Sequence, residues 1–198
     1  MIIATKNAGK AQEFKEMLTP FGIHVQTLLD FAEEMPDVEE TGETFQDNAQ
    51  LKAEQIAAKL QKPVIADDSG LVVDYLNGRP GVYSARYAGN PTDDRANYEK
   101  VLTELSEAEK KERTARFVCV LAFAQPGKPT IFKEGTCEGL IAREPKGSNG
   151  FGYDPIFIPE GYEVTMAQLE QQVKNKLSHR YHALKAFQAW LQQERDRD

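Results

Sequence analysis

The spacing of apolar residues changes period several times along the chain, and each change marks an element. "MIIAT" at 1–5 is a short β-rich apolar run, "KNAGK" is a turn of small and polar residues, and Phe14, Met17 and Leu18 then recur at helical spacing as far as Pro20 and Gly22. This reads as strand, tight turn and helix. After a strand predicted at "IHVQTL" (23–28), Phe45, Ala49, Ala53, Ile56 and Leu60 form one stripe, with Thr44 as N-cap and Asp47 in the first turn. Strands at "PVIAD" (63–67) and "LVVDYL" (71–76) flank an interruption at Asp67, Asp68, Ser69 and Gly70. A turn-rich stretch over 77–94 leads into a helix at about 95–105, and the charged run "SEAEKKER" reads as a solvated turn. "RTARFVCVLAFA" and "TIFKEGTCEGLIA" straddle "QPGKP" as a long hairpin. From Ser178, a candidate N-cap, a last helix buries Leu184, Phe187 and Leu191. Alternating helices and strands followed by an antiparallel middle predict the α/β class, a mixed β-sheet flanked by helices.

Composition narrows the class of partner. The 198 residues contain no repeat and no Gly/Ser/Pro-rich linker, so one domain over 1–198 is expected. Asp and Glu number 31 against 24 Lys and Arg, a net charge of −7, which offers no broad basic face to duplex nucleic acid. Any phosphate site must be local. Cys119 and Cys137 lack CxxC spacing or histidine neighbours and read as free thiols of a reducing compartment rather than zinc ligands. With no apolar run of the roughly 20 residues that span a bilayer, and no charged leader, no membrane partner and a cytoplasmic address are expected.

Four fragments could carry chemistry. "TKNAGK" (5–10) stands between a strand and a helix, where backbone N–H groups and the helix dipole favour an anion. Thr5, Asn7 and Lys10 add donors, although a plain strand-to-helix turn with a solvated lysine has the same composition. The Asp67–Asp68 pair marks a strand edge of the kind where open α/β sheets place ligands. Neighbours on a strand face opposite ways, so the two are not a symmetric dyad, and an ordinary Asp-rich turn remains an alternative. A glutamate of the 39–40 pair and one of these aspartates could hold Mg²⁺ together with substrate phosphates. In "SNGFGYDPIF" (148–157) glycines flank Phe151, which suits stacking on a flat ligand or plugging a core. "KNKLSHRYH" sets Lys174, Lys176, His179 and Arg180 around the start of the last helix, where positive charge is unfavourable unless an acceptor-rich ligand answers it. His24 and His182 read as structural.

Taken in order, "TKNAGK", "EETGETFQDNAQLKA", "IADDSGL", "GRPGVYSARYAG", "GFGYDPIF" and "SHR" resemble the inosine triphosphate pyrophosphatase family over residues 2 to about 190. That family hydrolyses non-standard purine nucleoside triphosphates (ITP, dITP, XTP) to monophosphate and pyrophosphate. The resemblance implies a curved mixed sheet in two lobes with a cleft between them, a Mg²⁺ requirement and, usually, a homodimer. It places Thr5, Lys6, Asn7, Ala8, Gly9 and Lys10 at the triphosphate, Asp68 as active-site carboxylate and base, Glu39 with Asp68 at the metal, and Ser69 beside the substrate. Phe151, Gly152, Tyr153, Asp154, Lys174, His179 and Arg180 match the positions that hold the nucleoside end, with Lys52 a further candidate for the phosphates. A pyrophosphatase for other modified nucleotides, or a purine-binding module without catalysis, are the competing readings.

Overall fold

The computed structural model describes residues 1–19, 22–31 and 38–196. Among them the strands form one six-stranded sheet in the order β2-β1-β3-β4-β5-β6. These are β1 (Ile2–Ile3), β2 (Gln26–Thr27), β3 (Val64–Val73), β4 (Thr114–Ala124), β5 (Ile131–Ile141) and β6 (Phe157–Pro159). β1 runs parallel to both neighbours, with Ile2 opposite Gln26 on one side and Val64 on the other. β6 is antiparallel to β5, Gly139 facing Pro159, so the sheet is mixed as expected. The strand predicted over 23–28 shrinks to two residues, because Leu28–Asp30 turns into a 3-10 helix whose Asp30 carboxylate accepts from the Thr27 N–H.

The helices are α1 (Ala8–Leu18), α2 (Phe45–Leu60), α3 (Asp94–Glu104), α4 (Gln171–Leu177) and α5 (His179–Arg195). Asn7, Thr44 and Asp93 cap the first three, each side chain accepting from a first-turn N–H. At α2 the cap is reciprocal: Asp47 Oδ2 accepts from the Thr44 N–H and hydroxyl, a capping box. Pro20, expected to end α1, lies outside the described residues; the helix closes at Leu18, with the Thr19 hydroxyl donating to the Lys15 carbonyl. The last helical region is broken at Ser178, whose backbone is extended and whose Oγ accepts from the Tyr181 N–H at 3.1 Å. Ser178 thus caps α5 as its type and position suggest, and Lys174 and Lys176 belong to the short α4 before it.

The main departure concerns the aspartate doublet. β3 does not stop at Asp67 and resume at Leu71; it is one ten-residue strand with the doublet in its middle, Asp67 1% and Asp68 5% exposed. A strand can hold two buried carboxylates only if other groups meet their charge, and lysines from α1 and α2 do so here.

Two compact units make up the chain, and the boundaries between them fall within β3, β4, β5 and α5. The first comprises Met1–Asp68, Cys119–Glu134 and Ala183–Asp198, and it buries Ile3, Phe14, Leu18, Ile56, Ile65, Leu121 and Phe187 almost completely. The second comprises Ser69–Val118 and Gly135–His182, with a core that includes Leu71, Val101, Leu105, Phe117, Tyr153, Phe157 and Met166. Each such side chain contributes about 1.5–3 kcal/mol through burial.

Candidate active site

In the first unit, the chain leaves β1 through Ala4, whose N–H donates to the Ile65 carbonyl, and reaches α1 by one tight turn. Thr5 is buried and its Oγ1 accepts from the Asn7 N–H at 3.2 Å, while Asn7 Oδ1 accepts from the Lys10 N–H at 3.0 Å. Lys6, Asn7 and Ala8 face solvent, Gly9 and Lys10 are half-buried, and the first turn of α1 contains no acidic residue. The turn therefore presents a helix N-terminus with no carboxylate of its own to answer the dipole, a setting that favours an anion.

Lys10 does not float at this end. Its Nζ lies 2.9 Å from Asp67 Oδ2, and the Asp67 side chain has no exposed surface. The Lys52 ammonium of α2 is more widely shared: it donates to the Asp67 carbonyl at 2.6 Å and to Glu40 Oε1 at 3.1 Å, and it lies 3.7 Å from Asp68 Oδ1. Burial pulls Lys52 down, but Asp67, Asp68 and Glu40 outweigh it and hold the ammonium above its ordinary range. Asp68 moves up: burial disfavours its charge and Glu40 adds repulsion, which Lys52, Lys10 and a hydrogen bond from Asn48 Nδ2 at 3.1 Å only partly offset. Here is a buried carboxylate kept short of full compensation, next to a cation and a second carboxylate. Glu39 is exposed, so within the 39–40 pair it is Glu40 that shares Lys52 with Asp68.

The second unit gathers the aromatic and basic candidates. Asp154 Oδ2 accepts from the Phe151 N–H at 2.9 Å and pairs with Lys174 Nζ at 2.8 Å, both side chains nearly sealed from water. Lys174 and Arg180 stand 5.0 and 5.5 Å from the Phe151 ring centroid, so two cations meet one aromatic ring. Arg180 Nη2 donates to Ser69 Oγ at 2.9 Å, and the His179 ring stacks on Phe117 at 4.9 Å. The loop is held tightly: Gly150 has φ +80°, and a side chain there would run into the Asp154 carboxylate. Gly152 donates its N–H to Asp94 Oδ2 at 2.8 Å. Tyr153 is buried and its hydroxyl donates to the Ser84 carbonyl, which leaves the ring a core residue; burial, and after it the charges of Tyr87 and Asp94, raise the phenol pKa.

Of the sequence-predicted residues, 5–10, Lys52 and Asp68 lie in the first unit, where Glu40 and not Glu39 meets Lys52; Ser69, Phe151, Gly152, Asp154, Lys174, His179 and Arg180 lie in the second, where Tyr153 is a core residue. The Ham1 family model matches residues 1–190. The chain belongs to the Ham1 family. Within it, this Ham1 chain is 58% identical to the dITP/XTP pyrophosphatase of Oceanobacillus iheyensis, across 96% of this chain and 97% of the relative. It is 56% identical to the protein of the same name from Bacillus subtilis, across 96% of each. Among solved structures, the Staphylococcus aureus Ham1 protein is 47% identical and matches with a TM-score of 0.86 over 98% of both chains. A Mycobacterium abscessus structure titled nucleoside-triphosphatase / dITP/XTP pyrophosphatase is 42% identical, with a TM-score of 0.76 over 94% of this chain and 97% of that one.

Sequence reasoning missed some of the residues that hold these candidate side chains. Asp94 joins α3 to the Phe151 loop across 58 residues, and nothing in "PTDD" distinguishes it from the cap beside it. Asn48 had a faint signal: it lies one turn before Lys52 on α2, polar yet wholly buried.

Proposed function

We propose that this chain hydrolyses non-standard purine nucleoside triphosphates (dITP, ITP, XTP and dXTP) to the monophosphate and pyrophosphate, clearing them from the nucleotide pool. The observation that carries this is Asp68, a buried carboxylate with raised proton affinity beside Lys52, in a chain whose relatives bear the name dITP/XTP pyrophosphatase. Residues 5–10 and Lys52 take the triphosphate. Asp68 orients a water and accepts its proton as the water oxygen bonds to the α-phosphorus; the bond from that phosphorus to the bridging oxygen breaks, and pyrophosphate leaves. The lysines and helix-start N–H groups stabilise charge on the leaving group by position alone.

The carboxylates also fit a divalent cation. Asp68 and Glu40 offer hard oxygen donors around one ammonium. That is the donor pattern of Mg²⁺, bound by one or two carboxylates and completed by substrate phosphates. Asp68 would hold it with a glutamate of the 39–40 pair, of which Glu40 is better placed than Glu39. When bound, the ion would neutralise charge on the phosphate oxygens.

In the second unit, Phe151 supplies a face for the base, while Lys174 and Arg180 supply donors for the O6 acceptor of hypoxanthine and xanthine. Adenine carries an amino donor at that position and would leave donor facing donor, a mismatch that can cost several orders of magnitude in rate. Asp154, His179 and the backbone of Gly152 and Tyr153 shape this pocket, and Ser69 holds Arg180. A cytoplasmic homodimer completes the reading, and two buried cysteines outside any disulfide accord with a reducing compartment. The test is to incubate the protein with dITP and Mg²⁺ and identify the product. Pyrophosphate, abolished by EDTA and far slower from dATP, is expected; orthophosphate alone, or equal rates with dATP, would overturn the assignment.

A further inference from the structure

Asn48 ties Asp68 to the segment that carries Glu39 and Glu40 by direct hydrogen bonds, beside the looser link that Lys52 makes between Glu40 and Asp68. It is 0% exposed and sits in the first turn of α2, its backbone N–H donating to the Thr44 carbonyl. On one side its Nδ2 donates to Asp68 Oδ2 at 3.1 Å. On the other its Oδ1 accepts from the Gly42 N–H at 2.8 Å, and Gly42 lies in the segment that carries Glu39 and Glu40. The segment presses close enough that a Cβ at Gly42 would come within 2.5 Å of Asp47 Cβ and 2.8 Å of Asn48 Oδ1.

The chemistry of these partners fixes the orientation of the amide. A backbone N–H can only donate, so the Asn48 oxygen must face Gly42, and the amino group must then face Asp68. Flipping the amide would put donor against donor at one end and acceptor against carboxylate at the other, losing both bonds. Asp68 Oδ2 is therefore held by Asn48, while Oδ1 lies toward Lys52. A buried amide could have been satisfied by a neighbouring helix or strand terminus; this one spends both ends on the carboxylate and the loop.

We propose that Asn48 is a positioning residue of the active site, locking the Asp68 carboxylate to the 39–44 loop so that the two carboxylate carriers keep one geometry. The inference rests on Asp68 being the active-site carboxylate. Asn48 itself touches no substrate; it acts through Asp68 and Gly42. Its contribution therefore belongs to the chemical step rather than to nucleotide affinity, because misplacing a reacting group by about 1 Å can cost on the order of 100-fold in rate.

The experiment uses the whole chain with Asn48→Leu, which fills the same space without bridging, and measures three quantities beside the unaltered protein. These are kcat and KM for dITP with Mg²⁺, the melting temperature, and amide hydrogen exchange over residues 38–44. The expected result is a kcat lowered at least tenfold, a KM within about threefold, and faster exchange at Gly42. A residue that served only as packing would leave kcat intact in Asn48→Leu. Gly42→Ala attacks the same tie from the other end and should give the same split; the double variant should lose little more than the worse single, since both remove one coupling. A kcat within twofold of the unaltered protein, unchanged exchange at Gly42, or full additivity of the two substitutions overturns the proposal. If Asn48→Leu fails to fold, Gly42→Ala and its exchange pattern decide alone. Failure of the hydrolase reading looks different: the unaltered protein then releases no pyrophosphate, while the exchange data still show whether Asn48 holds the loop to Asp68.

Discussion

Asp68→Asn should move activity and stability in opposite directions. The substitution keeps the shape of the side chain and an oxygen able to accept from Asn48 Nδ2, but it removes a charge that is 5% exposed. At 3.7 Å from Lys52, that charge gains about 4 kcal/mol of Coulomb attraction at an effective dielectric of 20. Burying a carboxylate costs several kcal/mol, and Glu40 adds repulsion, so the terms nearly cancel with the sign against ionisation, as the raised pKa of Asp68 reports. A carboxyl group with a raised folded-state pKa binds its proton more tightly in the folded chain. Its stabilising contribution is complete below the ordinary value of 3.8 and is lost as pH rises through the folded value. The asparagine variant escapes that loss. It should gain about 1 kcal/mol at pH 7.5, a rise of roughly 2–4 °C in Tm for a chain of this size, and the gain should vanish as pH falls below about 4. Turnover of dITP should drop by about 10²–10⁴, the usual worth of a general base. Calorimetry at several pH values and a pyrophosphate-release assay check the pair. Near wild-type turnover would refute the role of Asp68, and a lower Tm at pH 7.5 would refute the charge balance.

Asp154→Asn removes one partner of an ion pair with only 8% and 4% of its side chains exposed, which should cost about 3 kcal/mol, or roughly 6–12 °C in Tm. A shift under about 2 °C would show that Lys174 does not depend on that charge. Burial pushes the Cys137 thiol up to about 12, and Cys119 is fully buried, so a thiol reagent at pH 8 should find neither in the native protein and both in guanidinium. Rapid native labelling would contradict the burial of β4 and β5.

Local signals survived translation into structure where the deciding interactions span a few residues. Thr44 and Asp47 lie three apart and cap α2 reciprocally, so that helix was legible to the residue, with Ala49, Ala53 and Ile56 buried on its predicted face. Ser178 announced its helix for the same reason. Illegible were the features set by distant partners. Asp67 and Asp68 look like a turn because in isolation two carboxylates belong in water; Lys10 and Lys52, 57 and 16 positions earlier, help β3 run through them. Arg180 at the start of a helix is locally unfavourable, and its partner Ser69 stands 111 residues away. The chemistry of the candidate residues was readable, and the pairing among them was not. Six motifs in family order supplied what spacing alone could not.

The charge count around β3 explains why this arrangement should depend on a divalent cation. Lys10 and Lys52 meet Asp67, Asp68 and Glu40, two positive groups against three negative ones, so both lysines already have carboxylates within ion-pair reach. A triphosphate entering such a site adds several negative charges to a region that has no spare positive one among these five, and at an effective dielectric of 20 each unscreened contact near 4 Å opposes binding by about 4 kcal/mol. Two ways out are open: the lysines abandon their carboxylates for phosphate, or a cation arrives with the substrate and the lysines serve carboxylate and phosphate together. The first strands Asp67, whose side chain has no exposed surface, and so carries the cost of a buried, less compensated charge. The second leaves the Lys10–Asp67 pair intact and relieves the repulsion between Glu40 and Asp68 that helps raise the proton affinity of Asp68. On this balance, Asp67 keeps Lys10 at the helix start, while Asp68, poorly compensated by protein groups alone, is the carboxylate left with something to gain from metal and water.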